Sequence, residues 1–396
     1  MEISGFYGFL FCRFVLFLYF CNMSNPKPLL MRALCNVPHS WWNVACLVLL
    51  LLLPTSGWAG NGVGRFIKKV GEYIDSATVR GIDTTYIQVP EKPWQVMLRG
   101  NANEMTLDIE SMFADDEMRY NWGTDSGTGV GTSLGAWVGY RGYGLGYLFT
   151  VGRQKGSNFT IGMGGSNYNV NFRLRRFDTS DADARFTGFF PQNDQADIDE
   201  HGHIDLDEPI KVKSMMLEGY YMFNGKHFSN TAGYDQSTIQ VRSAGSFIVG
   251  ASWMSTDIDY AENMNTFLVM MMDDVGRIKV DQVNVGVGYA YNFVPAHQWL
   301  VNVMFMPSVA IYNRLKLWKY DYDFDHDDQD IINLQGVESS HSWMKVNLRS
   351  WLTLVYNSKR WYAMARGQWC NSRFERNGTS GQLKDWFFNV GLGVRF

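Results

Sequence analysis

Hydrophobic and polar residues alternate one by one along many short stretches of this chain. The last stretch begins at Trp386, from which Phe388, Val390 and Leu392 alternate with smaller or polar residues up to Phe396. A period of two places one set of side chains on each face of a strand. We therefore predict about twelve strands, within a range of roughly 10–14. The stretches are 94–112, 128–139, 142–153, 158–177, 210–223, 228–236, 242–260, 282–293, 299–311, 342–356, 361–369 and 386–396.

The composition indicates that the apolar faces of these strands lie in a membrane. Mean hydropathy is −0.19 although 15% of the residues are aromatic. A barrel explains both values, because only alternate residues of each strand face lipid. We predict an all-β fold, a transmembrane antiparallel up-and-down β-barrel. Its final Phe396 resembles the terminal aromatic residue that the barrel-assembly machinery reads in bacterial outer-membrane barrels.

The first 59 residues predict an export leader. Residues 45–54 form an apolar run that is too short to cross a bilayer as a helix. Small residues up to Ala59 then fit the positions that a signal peptidase reads. We interpret residues 31–59 as a signal peptide and residues 1–30 as an upstream start assigned in error, with an extra membrane anchor as the alternative. Export by this route predicts a bacterial outer-membrane location.

The rest of the chain divides into two predicted parts. Residues 60–92 hold a short amphipathic helix and a linker on the periplasmic side, and residues 93–396 form the barrel. The net charge is −4, so no basic excess favours nucleic acid. After the leader Cys370 is the one cysteine, which leaves no internal disulfide. The expected partners are outer-membrane lipid and lipopolysaccharide, and the oligomeric state stays open.

A block in the middle of the chain carries a resemblance to a known family. The block comprises Tyr220–Asn224, His227–Ser229, Gln236–Gln240 and Ser243–Ser246. It is similar to an uncharacterised outer-membrane barrel family of Bacteroidota that is described only as a domain of unknown function. The resemblance covers most of residues 78–396 and implies a fold and a location, but it brings no catalytic residues. Asp83–Ile87 and Gly288–Tyr291 fit the same pattern.

A histidine and a serine provide one candidate for catalysis. On a strand, His227 and Ser229 would share a face, and the imidazole could take the serine proton for attack on an ester. This pair resembles the dyad of outer-membrane lipid hydrolases, such as lipid A deacylases and the outer-membrane phospholipase. Those enzymes orient the histidine with a Glu or Asn, and Val241 occupies the corresponding position here. A lipid hydrolase is therefore the alternative function, and a polar residue near a strand end is the simpler interpretation.

Two predicted loops are rich in carboxylates. Loop 178–209 contains residues with the spacing of a calcium-binding loop, although His201 occupies a ligand position and prolines flank the segment. The alternative is a solvated acidic loop, which is also the simpler interpretation of the aspartates in loop 315–340. Ca²⁺ is the one cofactor that this sequence suggests. The predicted ligands are Asp197, Asp199, Asp205 and Glu208.

Charged residues at predicted inward positions form the last candidate site. Acidic residues lie on the first strand and basic residues near the end of the chain, and these strands are neighbours in a closed barrel. Such a network would either plug a narrow lumen or set a field across a small pore. The predicted function is an outer-membrane barrel without evident catalytic machinery, either a narrow pore or a structural or binding barrel. The predicted network comprises Glu104, Asp108, Glu110, Glu218, Lys345, Arg349 and Arg366.

Overall fold

The computed structural model describes residues 69–396 with several gaps. The predicted leader lies outside the described residues. By its internal contacts the chain divides into two compact units, Met1–Glu72 and Tyr73–Phe396. The barrel described below belongs to the second unit. Within that unit, residues 74–76 and 78–79 are helical, and residues 69, 71 and 72 of the first unit are helical too. The gaps are 70, 73, 77, 115–118, 129, 153, 190–197, 261–274, 323–331, 342–343, 359 and 377–378.

Strands make up most of the described chain. No helix in the described part is long and apolar enough to cross a membrane. The strands are β1 Ile87–Gln88, β2 Trp94–Ala114, β3 Arg119–Gly127, β4 Gly131–Tyr140, β5 Tyr143–Val151, β6 Lys155–Gly164, β7 Tyr168–Phe189, β8 Ile198–Met222, β9 Ile239–Gln240, β10 Ala244–Asp259, β11 Val275–Phe293, β12 Trp299–Tyr322, β13 Ile332–His341, β14 Val346–Asn357, β15 Trp361–Arg376 and β16 Thr379–Arg395.

Twelve of these strands close into an antiparallel barrel, which confirms the predicted fold class. Around the ring they follow the order β2-β4-β5-β6-β7-β8-β10-β11-β12-β14-β15-β16, and β16 pairs with β2 to close it. β3 continues the sheet between β2 and β7, and β13 pairs with the far part of β12. Short connections such as 141–142, 165–167 and 294–298 lie at one end, here called the short-turn end. The opposite end carries the long hairpins.

Four predicted stretches differ from the structure. Of the predicted loop 315–340, residues 315–322 belong to β12 and residues 332–340 belong to β13. The predicted strand 158–177 is two strands, because residues 165–167 form a turn between β6 and β7. The predicted strand 228–236 contains a short helix, Asn230–Tyr234, in which every residue is buried. Most of the predicted loop 178–209 belongs to β7 and β8. Its many charged residues indicated a solvated loop, but Asp181, Asp183 and Arg185 alternate with Ala182, Ala184 and Phe186, and the backbone pairs regularly from Asp181 to Gly188.

The polarity of the barrel reverses part of the way along its strands, and β11 shows this most clearly. Near the long hairpins, Ile278 and Val280 are buried inside, while Lys279 between them faces outward. Towards the short-turn end, Asn284 is buried inside, while Val287 faces outward with 64% of its surface exposed. Apolar groups face outward only where lipid rather than water surrounds the barrel. The membrane therefore surrounds the short-turn half of the strands.

The same reversal occurs on the strand that closes the ring. On β16, Val390 and Leu392 are exposed on the outside, whereas further along Leu383 is buried inside and Lys384 faces outward. We call the outward apolar residues of the short-turn half the apolar belt, and the remainder of the barrel the outer half. The outer half has the polarity of a water-soluble β-structure, with charges outside and an apolar interior.

A cluster of glycines makes room for one large side chain inside the barrel. Trp137 on β4 is fully buried and lies against the inward faces of β5 and β6. A Cβ added to Gly144 would lie 2.6 Å from Trp137 Cζ2, and one added to Gly162 would lie 2.7 Å from Trp137 Cη2. The glycine-rich sequence of these strands therefore serves close packing, and the indole ring supports Arg99, whose guanidinium carbon is 4.3 Å from the ring centroid.

Candidate functional site: the plugged lumen

The connection between β8 and β10 folds back into the short-turn end of the barrel. We call residues 223–243 the plug. At its centre lies the helix Asn230–Tyr234, where the Ser229 hydroxyl accepts a hydrogen bond from the Ala232 N–H as the helix N-cap. Every residue from Phe228 to Thr238 is buried.

Inward side chains from three strands hold the plug by its backbone carbonyls. Asn292 Nδ2 donates to the Ser229 carbonyl at 2.8 Å, and Gln95 Nε2 donates to the Asp235 carbonyl at 2.9 Å. Arg395 on the closing strand donates to the Gln236 carbonyl at 2.6 Å. Hydrogen bonds to buried carbonyls fix position strongly, because an unpaired carbonyl inside the barrel would cost free energy. The plug is therefore bound to the barrel wall.

The segment before the first barrel strand completes this end. β1 pairs with β9 of the plug, and Asp83 N–H donates to the Lys226 carbonyl at 2.9 Å. The His227 ring lies against the ring of Tyr86, with centroids 4.5 Å apart. The N-terminal segment and the plug thus fold as one unit.

The predicted catalytic pair is not formed. The Ser229 hydroxyl lies 2.6 Å from Thr238 Oγ1, whereas His227 Nε2 lies 3.5 Å from Asp83 Oδ2 and its Nδ1 lies 3.1 Å from Asn224 Oδ1. The prediction assumed a strand, on which alternate residues share a face. The chain instead turns into a helix cap at Ser229, so the two side chains have separate partners. This geometry gives a lipid hydrolase no support.

Burial favours the protonated form of one carboxyl group in the plug, that of Asp235. The loss of water raises the pKa of Asp235 to about 6, because burial disfavours the charged form. A hydrogen bond from the Ser237 N–H and the charges of Arg99 and Arg395 oppose this shift without cancelling it.

This shift predicts a pH dependence of stability. From about pH 4 to about pH 6, the folded protein binds more protons than the unfolded chain, so the free energy of unfolding falls as pH rises through that window. Asp235→Asn should remove this part of the slope in urea unfolding of the detergent-solubilised protein. Asp83→Asn is the matched control. Hydrogen bonds from Thr85 lower the pKa of Asp83, so the stabilisation that Asp83 provides is lost only at a pH below this window. Equal slopes in the wild type and Asp235→Asn would contradict the assignment.

Two ion pairs cross the lumen further from the plug. Arg349 NH1 on β14 lies 2.6 Å from Glu218 Oε1 on β8, and Arg175 NH1 on β7 lies 3.2 Å from Asp385 Oδ1 on β16. In each pair several strands separate the partners around the ring, so the contacts run across the interior. Arg349 therefore pairs with a middle strand, not with the acidic first strand as predicted.

The acidic residues of the first strand lie on the outside of the barrel. Glu104 Oε2 accepts a hydrogen bond from Trp386 Nε1 at 2.9 Å, and Asp108 forms an ion pair with Lys384. The prediction assumed a polar interior throughout, but the reversal of polarity puts charges on the outer face of the outer half. Glu110 lies on the same strand, with its side chain outside the described residues. The predicted approach of acids and bases inside the seam is wrong.

Three arginines line one cavity between the plug and the ion pairs. Arg99, Arg173 and Arg366 form its walls, and Tyr234 of the plug helix contributes to its lining. The empty volume is about 470 Å³, counting space open to solvent. Sequence reasoning named Arg366 but missed the other two, although an arginine at an inward position of a membrane strand is a recognisable signal. Lys345, the last predicted basic residue, is half-buried just before β14.

Apolar side chains dominate the interior of the outer half, with a few buried hydroxyl groups such as those of Ser214 and Thr256 among them. Buried side chains from eight strands meet there, and Ser372 Oγ on β15 lies 3.9 Å from Met254 Sδ on β10, four strands away around the ring. The lumen is therefore filled beyond the ion pairs as well. The cluster comprises Met105, Leu107, Phe177, Ile210, Val212, Met216, Met254, Ile258, Tyr260, Val275, Ile278, Val280, Leu315, Leu317, Phe374 and Leu383.

Three of the predicted calcium ligands, Asp199, Asp205 and Glu208, lie on the extended backbone of β8. Asp199 and Asp205 belong to β8 and pair with β7, so they lie about 20 Å apart along the strand. Residues 198–208 therefore do not form the compact loop that the spacing suggested. Asp197 lies outside the described residues, as do the side chains of Asp199 and Asp205. Among the described residues no group of three or more potential ligands could hold a metal ion, and Ca²⁺ binding stays a prediction.

These features define a transmembrane β-barrel whose lumen is plugged, and its fold is that of an outer-membrane barrel. Residues 81–396 match the family model described as a domain of unknown function, DUF4421. The chain belongs to this family. No curated protein matches the sequence.

Solved structures resemble the chain only distantly. The translocator domain of the autotransporter NalP from Neisseria meningitidis is 8% identical with a TM-score of 0.29, over 84% of this chain and 96% of that one. The outer-membrane protease OmpT from Escherichia coli is 10% identical with a TM-score of 0.29, over 78% and 97%. OprG from Pseudomonas aeruginosa is 11% identical with a TM-score of 0.25, over 78% and 98%. Likenesses this weak carry no argument about function.

Proposed function

We propose that this protein is a closed barrel of the bacterial outer membrane, exported by its predicted signal peptide, that binds ligands and does not conduct them. One observation carries the proposal: side chains meet across the lumen at successive levels. The plug fills the short-turn end, the pairs of Arg349 with Glu218 and Arg175 with Asp385 cross the middle, and an apolar cluster fills the outer half. A filled lumen favours the structural or binding barrel over the narrow pore. The Bacteroidota origin remains an expectation from the sequence resemblance.

Conductance tests the proposal directly. Purified protein reconstituted in planar bilayers should give no steady conductance steps, because side chains of the described residues meet across the lumen at successive levels. Flotation with vesicles and heat-modifiable mobility on gels would show that the inserted protein is folded. Stable ohmic steps from folded protein would overturn the proposal.

The accessibility of the Cys370 thiol provides a second test of whether the lumen is closed. Its side chain faces the lumen near the ion pairs and is 5% exposed, with Sγ 3.5 Å from the Asp385 carbonyl. In protein without the predicted leader, Cys370 is the one cysteine, and a cationic thiol reagent should label the folded protein only after urea is added. In the same background Lys384→Cys, on the water-facing outer surface, should react at once. Rapid labelling of Cys370 in the folded state would indicate an open lumen.

A row of basic residues supports lipopolysaccharide as a partner. Arg176 is the cross-strand neighbour of Lys213, and Lys279 is the cross-strand neighbour of Lys316. All four side chains lie on the outer face of the outer half. Asp257 lies between the two pairs. Guanidinium and ammonium groups bind phosphate oxygens, and the phosphates of lipopolysaccharide lie at the membrane surface, directly above the apolar belt.

Removal of this row should reduce bound lipopolysaccharide. The variant Lys213→Gln/Lys279→Gln/Lys316→Gln should copurify with several-fold less lipopolysaccharide per barrel, measured by phosphate and fatty-acid analysis. The control removes the same charge at the other end of the barrel. Lys226→Gln/Arg242→Gln/Arg360→Gln alters exposed residues near the short-turn end and should leave the bound amount unchanged. An equal loss of bound lipopolysaccharide in both variants would contradict specific binding by this row of basic residues.

A further inference from the structure

Three arginines inside the barrel, the buried Arg366 and the half-buried Arg99 and Arg173, form no ion pair with a carboxylate of the described residues. Arg175 and Arg349 each form an ion pair across the lumen. Arg99, Arg173 and Arg366 instead line one cavity, and none of the described residues around that cavity is acidic. Burial of a guanidinium without an opposite charge is costly. Asp235, Glu218 and Asp385 act on these arginines only from beyond ion-pair distance, so positive charge is concentrated at one place.

Aromatic rings hold these guanidinium groups in position. The Arg366 guanidinium carbon lies 4.5 Å from the ring centroid of Tyr234 and 4.6 Å from that of Trp351. The Arg173 group lies 4.4 Å from the ring centroid of Phe387, and Trp137 supports Arg99 in the same way. Stacking uses the face of a guanidinium and leaves the N–H groups at its edge available to a ligand.

Several of these edge groups are buried and unsatisfied. Arg99 Nε, Arg366 Nε and Arg173 NH1 have no hydrogen-bond partner among the described residues. The amide nitrogen of Gln368, which also lines the cavity, has none either. Arg366 is 5% exposed and Gln368 is 4% exposed, so bulk water does not satisfy these donors. The walls thus supply donors and positive charge, which an anionic acceptor would satisfy together.

We propose that this cavity binds a small tetrahedral oxyanion of the phosphate or sulfate class. A carboxylate has two oxygens and forms a bidentate pair with a single guanidinium group. The three arginines extend from β2, β7 and β15, so one acceptor that binds all of them needs oxygens on several sides. Tyr234 ties the site to the plug, because the ring that supports Arg366 belongs to the plug helix. The bound anion offsets most of the positive charge of the three arginines and joins the plug to the barrel wall.

Refolding in the presence of the anion tests the proposal without requiring entry through a closed lumen. Full-length protein is refolded from urea into detergent with phosphate, or with chloride at equal ionic strength. After dialysis, phosphate-refolded protein should retain about one labelled phosphate per barrel and unfold at higher urea than the chloride sample. Sulfate should compete and acetate should not. Competition by glycerol phosphate would identify an organic phosphate as the ligand; without it, the ligand is the free ion.

Matched variants separate the cavity from general surface charge. Arg366→Gln should weaken phosphate binding at least tenfold, and Arg173→Gln serves in its place if that protein does not fold. Arg277→Gln removes one charge from the outer face, where Arg277 pairs with Asp257, and should bind phosphate normally. Absence of retained phosphate in the wild type, equal displacement by acetate, or equal loss in Arg277→Gln would each overturn the proposal. None of these results depends on whether the barrel conducts.

Discussion

Glu218→Gln should lower the free energy of unfolding by about 3–5 kcal/mol. The substitution leaves Arg349 charged and 7% exposed inside the barrel, where Glu218 Oε1 now lies 2.6 Å from its NH1. The Tyr220 hydroxyl, which accepts from Arg349 at 3.1 Å, carries no charge and cannot compensate. Urea unfolding in vesicles, followed by tryptophan fluorescence, measures the difference.

Two controls show whether the loss comes from an unpaired buried charge. Asp257→Asn breaks the more exposed pair with Arg277 and should cost less than about 1 kcal/mol, because water screens that pair. Glu218→Leu/Arg349→Met removes both charges and should recover most of the loss. If Glu218→Gln costs no more than Asp257→Asn, the ion pair does not hold the lumen closed.

Val287→Arg should destabilise the barrel by about 2–4 kcal/mol in lipid. Val287 is 64% exposed in the middle of the apolar belt, so the new guanidinium would lie in hydrocarbon. In vesicles the cost is measured by urea unfolding. Assembly in cells should fall in parallel, as judged by the fraction of heat-modifiable protein.

The outer half supplies the matched control for this substitution. Gln382→Arg introduces the same side chain on the outer face of β16, where Gln382 Nε2 donates to Asp108 Oδ2 at 2.8 Å. An arginine there faces water and a carboxylate, so stability should change by less than about 0.5 kcal/mol. Equal costs at the two positions would mean that lipid does not surround Val287 and that the membrane boundary is misplaced.

The barrel was predictable because lipid imposes a two-sided pattern on its strands. Rows such as Val285 to Phe293 and Phe388 to Phe396 alternate without interruption, and they became strands with the predicted faces. The plug was not predictable in this way. Its residues are buried on all sides, so polar groups such as Asn230 and Gln236 occur where they meet wall side chains, and no period results.

The site was predictable only in part, for two physical reasons. Alternation along a strand shows which residues share a face. Along β2, however, the polar residues face the lumen in one half and the outside in the other, so Glu104 and Asp108 were assigned to the wrong side. The partner of a lumen residue depends on contacts across the ring, which local sequence does not encode. Glu218 and Arg349 were each named, but their pairing and the role of Arg99 and Arg173 required the closed barrel.

The position of the plug in the chain has a consequence for assembly. The plug precedes β10 in the sequence, so its segment is made before the last strands, and the ring closes only when β16 pairs with β2. Arg395 on β16 donates to the plug at Gln236, and without a seated plug its guanidinium would lose this acceptor beside the seam. Arg395 also donates to Asn357 and to the Ser358 carbonyl, so a seated plug supplies one of the three acceptors of this side chain. We therefore expect pairing of the last strand with the first to be most favourable after the plug has entered the barrel.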